Sequence, residues 1–148
     1  IKLTIFKKKL NIKNKKTIFK KFDIICDSTD NFNSRLLIND YSKRMKKILI
    51  SGAINKFNGQ IFKFNFKSNS SCFRCFMPLP PILNNNCSED GLSSPVAGII
   101  GVFQANEVVK TILNLKPDLS GKMLAFDSLK NSLREIIIKK NPGCKNKC

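Results

Sequence analysis

The sequence contains no histidine among its 148 residues. Histidine is the usual general base near neutral pH, and it activates most serine and cysteine nucleophiles. Catalysis that depends on a histidine is therefore excluded within these residues. Zinc sites that combine cysteine with histidine are excluded for the same reason. A metal site built from this chain has to use thiolates or carboxylates.

Glycine and long apolar runs are also scarce. None of the seven glycines forms a G-x-G-x-x-G turn, whose backbone amides hold phosphate groups. No run of about 18 uncharged apolar residues is present, so we expect no transmembrane helix and no membrane partner. The first residues also lack the layout of a signal peptide. Together these absences predict a cytoplasmic protein.

Acidic residues are few, with 10 Asp and Glu against 27 Lys and Arg, which gives a formal net charge of +17. One interpretation is a site for nucleic acid or another polyanion. The other is compositional drift, because Lys, Asn, Ile and Phe supply nearly half of the chain. Lysine is spread over most segments and far outnumbers arginine, whereas nucleic-acid sites favour arginine. We therefore expect no nucleic-acid partner.

Four of the six cysteines occur in two close pairs. Two residues separate Cys72 from Cys75, and three separate Cys144 from Cys148. Two such pairs supply the four thiolates of a closed tetrahedral zinc site. The alternatives are disulfides in a secreted domain and two thiol pairs that bind no metal. The absence of a signal segment favours the metal site.

The first half of the chain has the pattern of a βαβ unit, which predicts a parallel pair of strands. An apolar run that includes Cys26 is expected to form a buried strand before a polar turn. Apolar side chains at helical spacing follow, behind a cap at Asp30 or Asn31. The predicted strands are residues 1–6, 22–26 and 48–51, and the predicted helices are residues 14–21 and 31–45.

The second half predicts antiparallel strands and one long helix. Alternation over residues 60–66 places three phenylalanines on one face of a strand and Lys63 on the other. Ser94 and Pro95 begin a helix that is predicted to extend to about residue 115. Its small-residue stripe of Gly98, Gly101 and Ala105 either packs on the sheet or contacts a second copy. Residues 121–126 and 133–138 are predicted as a closing hairpin.

Several of these motifs follow one another in a characteristic order. They are residues 23–31 with Arg35 and Asn39, residues 72–75, Asn86 and Cys87 with Gly91, residues 94–101 with Gln104, Ala105 and Glu107, Phe126 and Asp127, Arg134, and residues 141–144. This order resembles the ThiF/MoeB/HesA family. Its members are ubiquitin-activating-enzyme-like adenylyltransferases that act on small sulfur-carrier proteins.

The resemblance implies an α/β fold, namely a partial Rossmann-like ThiF-type fold. Its parallel βαβ core is extended by antiparallel strands and carries a four-cysteine zinc site. Residues 1–148 would form a single domain that lacks the family's N-terminal glycine-rich nucleotide-binding segment. The chain would then be a truncated or split product with an incomplete site for ATP and Mg²⁺. The intact family form would be a homodimer.

The resemblance also assigns residues to sites. It places Asp30, Asn31 and Arg35 in the nucleotide site, with Asp30 on the Mg²⁺ of Mg-ATP. From the residues alone, helix capping by Asp30 and Asn31 and a surface salt bridge by Arg35 are the alternatives. The implied structural zinc ligands are Cys72, Cys75, Cys144 and Cys148.

Cys87 is the candidate catalytic nucleophile because the resemblance places it in the family's Asn-Cys context. Its alternative is a free thiol in a polar loop. The implied activity is ATP-dependent adenylation of the C-terminal glycine of a small ubiquitin-like sulfur-carrier protein, for thiamine or molybdopterin biosynthesis. The alternative is a non-catalytic zinc-containing module that binds a carrier protein or a separate N-terminal half. The missing part of the ATP site leaves open whether this chain is itself an enzyme.

Overall fold

The computed structural model describes residues 2–66, 70–79 and 91–146. Within these ranges, one five-stranded sheet has helices on both faces. The strands are β1 (Ile24–Asp27), β2 (Ile48–Asn55), β3 (Asn58–Asn65), β4 (Lys122–Asp127) and β5 (Ser132–Ile137). The helices are α1 (Lys15–Phe19), α2 (Phe32–Arg44), α3 (Phe73–Phe76) and α4 (Ser94–Ile112).

The strands lie in the sheet in chain order. β1 and β2 are parallel, with Ile25 beside Leu49, and α2 supplies the crossover that a parallel pair requires. The pairs β2–β3, β3–β4 and β4–β5 are antiparallel. The predicted α/β architecture, a parallel βαβ unit extended by antiparallel strands, is therefore confirmed, including the closing hairpin.

Two apolar cores lie on opposite faces of the sheet. On one face, α2 and α3 cover Phe62 and Phe64, which are almost completely buried. On the other face, Val96 and Ile100 of α4 pack with Ile61 of β3. Successive residues of β3 point to opposite faces, as the alternation predicted. Covering both faces makes the sheet the centre of the described fold. No helix within these ranges is both long and apolar enough to cross a membrane.

The second face of β3 buries a charged side chain. Lys63 lies opposite the phenylalanines, as predicted, but α4 covers this face and leaves the residue only 2% exposed. Lys63 Nζ lies 3.4 Å from Glu107 Oε2 and 3.9 Å from Asp118 Oδ2. A buried ammonium group requires such partners, because desolvation without them is costly. The sequence pattern marks Lys63 as polar without indicating that it is buried.

The small-residue stripe of α4 faces solvent. A Cβ atom added at Gly98 or Gly101 would meet no atom within 4 Å, so the alternative in which the stripe packs on the sheet is wrong. The close approach of α4 to the sheet depends instead on Gly59 in β3. A Cβ at Gly59 would lie 2.4 Å from the Ile100 side chain, so a larger residue at this position requires the Ile100 side chain or α4 to shift.

Helix boundaries follow local backbone chemistry. α1 and α2 confirm the two helices predicted in the first half. Ser93, rather than Ser94, occupies the N-cap position of α4, which ends at Ile112. Two residues after that end, Asn114 has a φ of 52°. This left-handed conformation cannot continue a helix, so α4 is shorter than predicted.

The strand predicted for residues 1–6 is wrong. Residues 2–6 have no strand conformation, and Leu3 and Ile5 are largely exposed. A strand depends on hydrogen bonds from a neighbouring strand, and within the described ranges none pairs with this segment. Cys26 was likewise expected to be buried, but it is exposed on β1, at the edge of the described sheet.

Candidate functional site

Polar side chains meet at the carboxyl ends of the two parallel strands. Asp27 ends β1, Ser51 lies in β2 beside it, and Arg35 reaches both from α2. Open α/β sheets bind ligands just beyond the carboxyl ends of their parallel strands. This edge is therefore the position at which the fold favours a ligand.

A hydrogen-bond network fixes Arg35 at this edge. Arg35 Nη1 donates to Ser51 Oγ at 2.7 Å, and Ser51 Oγ donates to Asp27 Oδ2 at 2.7 Å. Arg35 Nη2 donates to the carbonyl oxygens of Thr29 at 2.6 Å and Gly52 at 2.9 Å. One guanidinium group thus joins the segment after β1 to the middle of β2.

The charges of this network are buried. Arg35 Nη1 lies 3.7 Å from Asp27 Oδ2, and the two side chains are 7% and 0% exposed. Burial lowers the pKa of Arg35, and the negative charge of Asp27 opposes that change. Arg35 therefore takes part in a buried ion pair, and the alternative of a surface salt bridge is wrong.

Gln104 of α4 completes the network from the opposite face of the sheet. Its Nε2 donates to the carbonyl oxygens of Asp27 at 3.0 Å and Ile50 at 2.9 Å. Its Oε1 accepts a hydrogen bond from Ser28 Oγ at 2.9 Å. Asp27, Ser51 and Gln104 had no predicted role in a site. Two signals in the sequence could have identified them: Asp27 is a polar residue at the end of an apolar strand, and Gln104 is a polar residue within an apolar helix.

Asp30 and Asn31 lie between β1 and α2, beside this network. Asn31 caps α2, because its Oδ1 accepts a hydrogen bond from the Ser34 backbone N–H at 2.8 Å. Asp30 is exposed, and its carboxylate accepts a hydrogen bond from Asn31 Nδ2 at 3.2 Å. Asn31 is therefore the cap, and Asp30 presents a carboxylate to solvent at the start of the helix.

A separate cluster of thiols forms beside α2. The Sγ atoms of Cys72, Cys75 and Cys144 all lie within 4.8 Å of one another, and those of Cys72 and Cys144 are 3.7 Å apart. Zn–S bonds of about 2.3 Å in a tetrahedron place sulfur atoms about 3.8 Å apart. The three described cysteines thus have spacing and chemistry that fit zinc. Cys148, the predicted fourth ligand, and Cys87, the predicted nucleophile, lie outside the described residues.

Asp40 of α2 holds the two cysteine segments together. Its carboxylate accepts hydrogen bonds from Arg74 Nε and Nη2, each at 2.7 Å, and from Asn146 Nδ2 at 2.8 Å. Burial raises the pKa of Asp40, but the hydrogen bonds from Arg74 and Asn146 outweigh burial and lower it. The bond to Asp40 in turn raises the pKa of Arg74. An ionised Asp40 therefore connects the first cysteine segment to the second.

The family model and several similar proteins indicate the same family. The model of the ThiF family matches residues 1–146. The Caenorhabditis briggsae protein named adenylyltransferase and sulfurtransferase MOCS3 is 38% identical over 138 residues, which cover 91% of this chain and 34% of that protein. The Thermus thermophilus sulfur carrier protein adenylyltransferase is 30% identical over 97% of this chain and 55% of its own length. The chain thus spans about a third to a half of these curated relatives.

Solved structures show the same fold at lower sequence identity. The crystal structure of E. coli MccB with MccA-N7isoASN matches with a TM-score of 0.72 and 20% identity, covering 94% of this chain and 45% of MccB. E. coli MccB with ATP matches with a TM-score of 0.69 and 18% identity. The described sheet and helices therefore correspond to part of a larger fold.

Proposed function

Since this chain belongs to the ThiF family, we propose that it carries part of an ATP-dependent adenylyltransferase. Its substrate would be the C-terminal glycine of a small ubiquitin-like sulfur-carrier protein that serves thiamine or molybdopterin biosynthesis. The matched relatives named as adenylyltransferases support this reaction class. We further propose that residues 1–148 form one ThiF-type domain whose glycine-rich segment lies elsewhere, and that the intact protein is a cytoplasmic homodimer.

The proposed reaction joins the carrier to AMP. The glycine carboxylate attacks the α-phosphorus of ATP, the bond to the β-phosphate oxygen breaks, and pyrophosphate leaves. This step needs aligned reactants and neutralised phosphate charge, and it does not require a histidine base. It is therefore compatible with a chain that contains no histidine.

The observation that carries the proposal is the position of Asp30 and Asn31. Both follow the end of β1 and precede the first turn of α2, where backbone N–H groups and the helix dipole favour phosphate. Asp30 would hold Mg²⁺, which would neutralise phosphate charge. Arg35, whose charge is compensated by Asp27, would position this segment through its bond to the Thr29 carbonyl oxygen.

Zinc would have a structural role in this proposal. Cys72, Cys75 and Cys144, together with Cys148, would provide four thiolates and leave no open position for catalysis. The 3.7 Å separation between Cys72 Sγ and Cys144 Sγ supports this assignment. The ion would hold the C-terminal segment against the region that follows β3.

Cys87 is our proposed nucleophile for a second step. Its thiolate would attack the carbonyl carbon of the acyl-adenylate, the bond from that carbon to the phosphate oxygen would break, and AMP would leave. The product would be a thioester between Cys87 and the carrier. Replacement of Cys87 by serine should therefore prevent this thioester while leaving adenylation intact.

ATP–pyrophosphate exchange tests the proposed activity. The chain should be assayed with a C-terminal Gly-Gly carrier protein, alone and with a polypeptide that supplies the glycine-rich segment. Carrier-dependent exchange in the completed form that is lost in Asp30→Ala supports adenylation. No exchange in either form would refute it, and carrier binding without exchange would support the non-catalytic zinc module instead. The three described thiols, whose spacing fits zinc, support the metal site of that alternative.

A further inference from the structure

Phe73 lies between the cysteine cluster and the Arg35 network. It follows Cys72 directly in the chain and is 3% exposed. The Arg35 guanidinium carbon lies 5.8 Å from the centre of the Phe73 ring, within the range of a cation–π contact. A residue adjacent to a candidate metal ligand therefore touches the cation that organises the carboxyl ends of β1 and β2.

The backbone and the ring of Phe73 are both held in place. The Phe73 backbone N–H donates to Asn39 Oδ1 at 2.9 Å, and Asn39 is fully buried. Asn39 follows Arg35 by one helical turn, so both side chains lie on the same face of α2. The ring packs edge-on against Phe62, with centroids 5.2 Å apart. Phe73 therefore cannot follow a shift of the cysteine segment without disturbing these contacts.

Movement of Arg35 would be transmitted to the predicted nucleotide residues. Arg35 Nη2 bonds to the Thr29 carbonyl oxygen at 2.6 Å, one residue before Asp30. The same nitrogen bonds to Gly52 O at 2.9 Å. The position of the Arg35 cation thus sets the path of the backbone that carries Asp30 and Asn31.

We propose that Phe73 is a positioning residue that couples metal occupancy of the cysteine cluster to the orientation of Arg35. Metal bonds to Cys72 and Cys144, whose sulfur atoms lie 3.7 Å apart, would fix the segment that begins with Phe73. Loss of these bonds therefore releases Cys72, the direct neighbour of Phe73, and shifts the Phe73 ring relative to the Arg35 guanidinium. The consequence for ATP rests on the proposed adenylation, whereas the coupling rests only on metal binding by the cysteine cluster.

Nitrogen-15 spectra of the arginine side chains test the coupling directly. Because the chain has only four arginines, conservative replacement of the other three assigns the Arg35 Nε–H signal by elimination. The assigning variants are Arg44→Lys, Arg74→Lys and Arg134→Lys. We expect the Arg35 signal of the zinc-loaded chain to shift when the metal is removed with a chelator, because the ring current of Phe73 changes at the guanidinium.

Two ring variants separate positioning from general packing. Phe73→Leu removes the aromatic contact and should abolish most of the Arg35 response to zinc, whereas Phe73→Tyr should retain it. Phe76→Leu is the matched control, since Phe76 belongs to the same short helix and lies 6.1 Å from Phe73. An unchanged Arg35 signal on zinc removal, or a wild-type response in Phe73→Leu, would overturn the proposal. If Phe73→Leu does not fold, wild type and Phe73→Tyr still decide the outcome.

Titration with Mg-ATP distinguishes this proposal from the proposed function. If both hold, Phe73→Leu should bind Mg-ATP about two- to fivefold more weakly than Phe76→Leu, the effect of losing one cation–π contact. If no variant binds Mg-ATP even with the polypeptide that supplies the glycine-rich segment, the nucleotide assignment fails, and the spectra still decide the coupling. If Mg-ATP binds equally to metal-free and zinc-loaded wild type, the coupling does not reach the nucleotide.

Discussion

Asp27 and Arg35 show how one buried ion pair organises the carboxyl ends of two strands. Asp27 accepts hydrogen bonds from Ser51 and from the backbone N–H and hydroxyl of Thr29. Arg35 returns hydrogen bonds to Ser51 and to two carbonyl oxygens. Both charged groups are buried, so each depends on the opposite charge of the other to offset its desolvation.

The residue-scale prediction concerns Asp27→Asn. This change keeps the side-chain shape and removes the charge that compensates buried Arg35, so the free energy of unfolding should fall by about 3–5 kcal/mol. Urea unfolding followed by circular dichroism measures the loss. Asp23→Asn is the matched control, because Asp23 is exposed and pairs with Lys47 at the surface. Equal stability of both variants would contradict the compensation argument.

At the scale of secondary-structure elements, contact with β3 determines the position of helix α4. Ile100 lies over Gly59 so closely that a Cβ there would be 2.4 Å from its side chain. On the opposite side of α4, Gly98 has open space. A side chain therefore clashes at Gly59, where α4 packs on β3, but is sterically allowed at Gly98 on the exposed side of α4.

The element-scale prediction compares Gly59→Ala with Gly98→Ala. Gly59→Ala forces the Ile100 side chain or α4 to shift and should lower the free energy of unfolding by about 1–3 kcal/mol. Gly98→Ala removes a helix-interior glycine without a clash and should raise it by about 0.5–1 kcal/mol. Thermal and urea unfolding of the two variants check these opposite signs. A loss of stability in Gly98→Ala alone would reverse the assignment of the two faces.

At the scale of the whole molecule, the cysteine cluster connects segments that are far apart in the sequence. It brings Cys144 against Cys72, and Asp40 joins the same two segments through Arg74 and Asn146. Ile138, which precedes the second segment, is buried in the same core as both cysteines. Loss of the cluster would therefore free the C-terminal segment while leaving the central strand pairs in place.

The whole-molecule prediction concerns metal content. The wild-type chain should contain one zinc ion, and chelation should accelerate tryptic cleavage at Lys139, Lys140 and Lys145. Cys144→Ser removes one ligand of the site, so this variant should contain no zinc and should be cleaved as fast as the chelated wild type. Metal analysis and timed proteolysis followed by mass spectrometry measure the two effects. Cys26→Ser, which changes an exposed thiol in β1, should behave as wild type.

The sequence predicted the elements whose signals are local. The helical spacing of apolar residues and the polar turn before it were sufficient to locate α2 and to restrict its cap to Asp30 or Asn31, of which the structure selects Asn31. Alternation located β3, and the paired cysteines identified the described thiol cluster. The strand predicted for residues 1–6 failed because a strand depends on a neighbour that local sequence cannot supply.

What the sequence determined by itself is the set of chemical groups and their local periodicity: no histidine, no glycine-rich phosphate turn, two close cysteine pairs and a βαβ pattern. Tertiary structure decided which polar groups are buried together. Asp27, Arg35, Ser51 and Gln104 meet at one edge although up to 77 residues separate them. Lys63 and Glu107 are likewise buried as a pair. The physical reason is that local spacing specifies which face of an element a side chain occupies, whereas burial depends on the elements that cover that face.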